Sequence, residues 1–137
     1  KGIICGAQQE HILGEQIRGQ CDAPLQNLSG QTTLSELAGL LSKSRLTLSN
    51  DTGAVFISSA VGTPSVCILG GGHFGRFLPY PDLPGQINKL NAIFHKMPCY
   101  GCNWDCVYPI KEGEPTPCIA NVSVDTVWEK IKPLLTK

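Results

Sequence analysis

Charge is scarce and balanced: eleven basic and eleven acidic side chains make up only 16% of 137 residues and sum to a net charge of zero. A nucleic-acid binder concentrates lysine and arginine on one surface, so that class is excluded and no nucleic-acid partner is expected. Long apolar runs are also missing. The longest falls far short of the roughly 20 residues a membrane helix needs, and the N-terminus lacks the charged, apolar and small-residue succession of a secretory signal. The expectation is a soluble, cytoplasmic protein with no transmembrane segment. With only three histidines, no Cys-His or Ser-His-Asp constellation can be argued, and His11 and His95 read as structural. Seven cysteines, an odd number, do not make a complete secreted disulfide framework, and a reducing compartment fits better. The sequons at Asn27, Asn50 and Asn121 lack secretory context and are read as chance.

What is present is enough apolar material, 42%, to bury a core in one domain spanning 1–137. The chain opens on Lys1-Gly2-Ile3-Ile4-Cys5, a strand already under way without an initiator Met, which suggests a piece of a longer protein. Short apolar strands alternate with helical periodicity. Strands are expected at Ile3–Gly6, Leu25–Leu28, Leu46–Leu48, Ser65–Leu69 and Ala92–His95. Helices are expected over Glu10–Gln20, through Leu34–Leu41 behind a Thr33/Glu36 capping box, over Ala54–Val61, and at the C-terminus over 123–137, interrupted at Pro133. Such alternation implies βαβ units: an α/β fold with a Rossmann-like parallel sheet and flanking helices. From Gly70 to Pro84 the prolines leave only loop.

The turn Ser49-Asn50-Asp51-Thr52-Gly53 sits between a strand and a helix. A helix start there would offer unpaired N–H groups and the positive end of the dipole to a phosphate, with Asp51 as cap or acceptor, Thr52 as hydroxyl donor and Gly53 leaving room for close approach. Gly70-Gly71-Gly72-His73-Phe74-Gly75 matches G-x-G-x-x-G literally. The following Arg76-Phe77-Leu78-Pro79 cannot open the required helix, so a dinucleotide site is rejected. Two readings remain: Gly71 and Gly72 let a ligand approach while His73 and Arg76 supply donors, or the segment is a glycine turn with Arg76 in a surface ion pair. Cys99-x2-Cys102-x3-Cys106-x11-Cys118, in a Cys-rich loop over 99–118, offers four thiolates for a structural zinc or iron–sulfur site, or else free or paired thiols. Tyr100 and Trp104 are read as covering that segment, Trp128 as packing, and Cys5, Cys21 and Cys67 as small core residues.

The ordered motifs Gly6-Ala7-Gln8-Gln9-Glu10, Asn27 through Ala38, Ser49 through Gly53, Ala60 through Pro64 and Ile68-Leu69-Gly70 together resemble the C-terminal half of the heptosyltransferase glycosyltransferases, over roughly residues 3–76. The resemblance implies one half of a two-domain GT-B enzyme, with a nucleotide-diphosphate sugar as donor and a lipopolysaccharide or other glycan as acceptor. It implies that Thr52 and Gly53 meet the donor diphosphate, that Asp51 shapes the turn, and that Glu10 hydrogen-bonds the ribose. The catalytic base would lie in an N-terminal domain outside this chain, no catalytic cofactor would be required, and the whole protein would be cytoplasmic or peripheral at the inner membrane. The family commonly has a histidine where this chain has Phe56, which leaves the donor sugar open and keeps a catalytically inactive binding module as an alternative.

Overall fold

The computed structural model describes residues 1–81 and 90–136 and divides into two compact units, Lys1–Leu40 and Leu41–Lys137. The first unit holds strand β1 (Gly2–Ile4), a 3-10 turn (Gln8–Glu10), helix α1 (His11–Gly19) and strand β2 (Leu25–Asn27). The two strands pair in parallel, Gly2 opposite Leu25 and Ile4 opposite Asn27. Their C-terminal ends are tied by hydrogen bonds from Leu28 N–H to Ile4 O and from Gly30 N–H to Gly6 O, both 2.8 Å.

Helix α1 packs on β2 through a glycine and polar groups. A Cβ on Gly14 would come within 2.6 Å of the Asn27 amide, and the Asn27 Nδ2 group donates to His11 O at 3.0 Å and to Glu15 Oε1 at 2.9 Å. His11 Nδ1 also lies 3.3 Å from Ser29 O, a structural role as expected. Because a glycine and polar groups hold the helix to the strand, Ile12, Leu13 and Ile17 are left 72%, 56% and 43% exposed. The sequon residue Asn27 is thus buried and occupied.

Helix α2 (Leu34–Ser42) opens with the expected capping box: Thr33 Oγ1 accepts from Glu36 N–H at 3.3 Å, and Glu36 Oε2 accepts from Thr33 N–H at 2.8 Å. The boundary between the units falls inside this helix.

The second unit is built on three parallel strands in the order β3 (Thr47–Asn50), β4 (Ser65–Ile68) and β5 (Leu90–Ile93). Successive residues of the central segment serve opposite faces, as the strand period of two requires. Cys67 and Leu69 join Val55, Leu78 and Leu90 in one cluster, while Val66 joins Ile93 and Val127 in another. Helix α3 (Gly53–Ala60) follows β3 and owes its closeness to the sheet to small residues. Ser58 Oγ–H donates to Thr47 Oγ1 at 2.7 Å, and Ser65 Oγ lies 2.8 Å from Ser58 Oγ. No buried side-chain N or O among the described residues lacks a partner.

Several boundaries differ from expectation. Strand β5 starts two residues before Ala92, and the loop expected from Gly70 is seen as turns to Pro81, while its end at Pro84 lies outside the described residues. The segment 99–118 is not wholly loop, because Pro117, well placed in a first helical turn, starts the short helix α4 (Pro117–Ala120). The C-terminal helix α5 (Val124–Leu135) is not interrupted at Pro133 but runs through it; Lys137 lies outside the described residues. Ser123 caps it, accepting from Thr126 N–H at 3.2 Å. Cys21 is exposed rather than in a core, whereas Cys67 is buried as expected. Among the described residues no helix is long and apolar enough to cross a membrane.

Candidate functional site

At the C-terminal end of β3 the chain turns sharply: Thr52 N–H donates to Asn50 O at 2.8 Å, and Ser49 Oγ–H donates to Asn50 O at 2.9 Å. That turn leaves Thr52 extended, so Thr52 rather than Asp51 is the N-cap of α3, and its side chain makes no capping bond. The Thr52 hydroxyl instead sits 3.2 Å from Ser49 Oγ. The first-turn N–H groups of Gly53 and Ala54 have no acceptor within the helix, which makes this end an anion-friendly surface. A Cβ on Gly53 would meet nothing within 4 Å, so the space in front of the turn is open.

That space is a pocket of about 390 Å³ lined by Asp51, Thr52, Gly53, Phe56, His73, Phe77 and Trp104. Four of the expected site residues therefore converge: Asp51, Thr52, Gly53 and His73. The Asp51 carboxylate lies close enough to the end of β4 to affect Cys67, whose thiol is pushed up to about 12 by burial first and by the Asp51 charge second. Cys67 is thus an un-ionised core residue, not a nucleophile.

The glycine loop is packed against aromatic side chains. Gly70, Gly71 and Gly72 are buried, and what approaches them is aromatic: a Cβ on Gly70 would come within 2.7 Å of Trp104, one on Gly71 within 2.5 Å of Tyr100, and one on Gly72 would run into the Trp104 indole. Gly71 and Gly72 thus leave room for two rings. His73 is not a free donor. Its Nε2 pairs with Asn103 Oδ1 at 2.8 Å, and its Nδ1 faces Trp104 Nε1–H at 3.4 Å, an arrangement that calls for the neutral ring protonated at Nε2. Arg76 is outside the pocket lining, with its guanidinium carbon 5.2 Å from the centroid of the Phe77 ring.

Glu10 belongs to the first unit, where its Oε2 accepts from Ala7 N–H at 2.6 Å and so closes the 3-10 turn. The four cysteines offered as a metal set are not gathered: among the described residues no three Cys, His, Asp or Glu side chains stand together as metal ligands. Cys118 is buried beneath the glycine loop, where its sulfur accepts from Gly71 N–H at 3.4 Å, while Cys99, Cys102 and Cys106 are half-buried. Tyr100 and Trp104 pack over the glycine loop, and Tyr100 also lies near Cys118 and Cys99. Burial pushes the Tyr100 phenol up, with smaller contributions from the Cys118 and Cys99 thiols. Phe77 and Trp104 are the site residues that sequence reasoning missed, since nothing local in the chain marks Trp104 as a neighbour of Gly72.

Residues 2–103 match glycosyltransferase family 9 (heptosyltransferase). Over 88 residues the chain is 32% identical to OpsX, a lipopolysaccharide core heptosyltransferase of Haemophilus influenzae, in a match covering 63% of this chain and 25% of that protein. The structure of an ADP-heptose lipopolysaccharide heptosyltransferase II from E. coli superposes with a TM-score of 0.67 at 19% identity, over 98% of this chain and 36% of that one, a likeness of fold. The chain thus spans about a quarter of the curated relative and about a third of the structural one.

Proposed function

The chain belongs to glycosyltransferase family 9, the heptosyltransferase family, and on that premise we propose that it is the donor-binding part of an enzyme that transfers a sugar from a nucleotide-diphosphate sugar to a lipopolysaccharide or other surface glycan. One observation carries this reading. An uncapped helix start at Thr52-Gly53 opens into a pocket at the C-terminal end of a parallel strand, where open α/β sheets hold their ligands. In that role the first-turn N–H groups of α3 and the Thr52 hydroxyl hold the leaving diphosphate, and the charge that develops on it is met by fixed dipoles rather than by a cofactor. The carboxylate that takes the acceptor's proton would come from chain outside these residues, so this chain alone is expected to bind donor and to transfer nothing.

Binding stabilises the folded state by mass action, about 2.7 kcal/mol at a hundredfold excess over Kd. ADP, UDP or GDP should therefore raise the melting temperature of the chain, and Thr52→Val should shrink that rise. If no nucleoside diphosphate shifts the melt, the reading fails. If diphosphates bind but the full-length protein transfers no sugar, the binding-module alternative, favoured by Phe56 in place of the family's histidine, takes over.

A further inference from the structure

The pocket beside the Asp51 turn has two unlike ends. Asp51, Thr52 and Gly53 form a polar edge, and the remainder of its lining is aromatic. The Phe77 and Trp104 rings each meet His73 edge-on with centroids 5.9 Å away, at 71° and 70°. Both are about half exposed, 49% and 47%, so each keeps ring surface open to a ligand.

Trp104 is held there at some cost. Asn103 and Trp104 both adopt left-handed backbone, φ 53 and 67, which asparagine tolerates but a bulky residue such as Trp104 keeps only where surrounding contacts impose it. The contacts are visible: Asn103 N–H donates to Gly72 O at 3.0 Å and Gly101 N–H to Gly71 O at 2.8 Å, while His73 receives Trp104 Nε1–H on one ring nitrogen and engages Asn103 with the other. Glycines at 70 and 72 give the indole its room. The stretch matched to the family ends at residue 103, so Trp104 lies just beyond the shared pattern.

The geometry points to Trp104 as a specificity-determining residue: with Phe77 and Phe56 it forms a wall on which the donor's sugar ring stacks by its C–H face, while Asp51 accepts from the sugar's hydroxyls. His73 and Asn103 are positioning residues for that wall. The inference rests on the nucleotide-sugar reading above and adds the residues that select the sugar. A neutral pyranose suits the pocket, since it has an apolar face for the rings and a hydroxyl rim for the carboxylate. A uronic acid does not, because its carboxylate would face Asp51, and among the described residues the pocket lining holds no lysine or arginine to offset the repulsion.

The chain has two tryptophans, so Trp128→Phe leaves Trp104 as the only indole reporter. Fluorescence titration of that variant with ADP, UDP and GDP, with their glucose conjugates and with UDP-glucuronic acid tests the wall. The expected result is a change in Trp104 emission on binding the glucose conjugate of the preferred base, with affinity at least tenfold above that of the free diphosphate and of the glucuronic acid conjugate. Trp104→Ala should erase that tenfold margin without weakening free diphosphate, and so should Phe77→Ala, which removes an exposed ring and guards against a folding artefact at Trp104; both variants are read by calorimetry. His73→Ala should shift Trp104 emission before any ligand is added, and His73→Gln, which restores an acceptor, should move it back. Equal affinity for sugar conjugate and free diphosphate would overturn the inference, as would equal loss of both in the two wall variants or undiminished binding of the glucuronic acid conjugate. If no diphosphate binds at all, the donor-binding reading falls and the wall falls with it; if diphosphate binds normally without a sugar margin, only the wall falls.

Discussion

Glycine carries opposite meanings at two positions of this chain. At Gly72 an added Cβ would strike the Trp104 indole, so the residue serves the fold; at Gly53 it would meet nothing, so the residue is free to serve a ligand. Gly53→Ala separates the two roles. Alanine is the better helix former by up to about 1 kcal/mol, so the melting temperature should hold or rise slightly. A nucleoside diphosphate that approaches the Gly53 backbone should lose at least tenfold in affinity by calorimetry. Unchanged affinity would mean that nothing comes close to this helix start. Sequence showed the Asp51-Thr52-Gly53 turn because its hydrogen bonds span two or three residues. It did not show that Gly71 and Gly72 receive Tyr100 and Trp104, because those partners are remote in the chain and no periodicity links them.

At the scale of elements, local signals were readable and facing was not. The Thr33/Glu36 box formed as the spacing implied, and the Glu36 carboxyl is held below its ordinary value by hydrogen bonds from the Thr33 backbone and then the Thr33 hydroxyl. Glu15 is lowered as well, by the Arg18 side chain first and Asn27 second. A carboxylate with a depressed folded-state pKa contributes stability above its unfolded value, and that contribution is lost as pH falls through the folded value. Stability from urea unfolding should therefore be level above the ordinary glutamate value of 4.5 and decline on further acidification. Glu36→Gln keeps an acceptor oxygen but cannot titrate, and it should make that decline shallower; an identical acid limb in the variant would show that the box contributes nothing through charge. Helix α1 was also foreseen as an element, yet its orientation was not. Ile12, Leu13 and Ile17 stand exposed, whereas Asn27, on a separate strand, holds the opposite face through His11, Gly14 and Glu15.

Across the whole molecule, the larger unit depends on β4 and the residue that follows it, with Val66 and Cys67 wholly buried and Leu69 wholly buried beside Val55 and Leu78. Leu69→Ala should cost about 2–5 kcal/mol through lost transfer energy and the cavity left behind. Calorimetric melting should record it as a fall on the order of 10 °C or more. A fall of only a degree or two would show that the cluster collapses around the gap. The run Ser65–Leu69 announced a strand, and the alternation of strands and helices around it implied parallel pairing; both follow from backbone period and connection rules that hold wherever the chain goes. By itself, then, the sequence determined the α/β order, the capping box, the strand-to-helix turn at Asp51 and the family, all of which depend on neighbours within a few residues or on the order of motifs. The tertiary structure decided which rings line the pocket, that His73 is engaged rather than free, and that among the described residues no three cysteines gather, because each depends on side chains placed from distant segments by packing that no local pattern encodes.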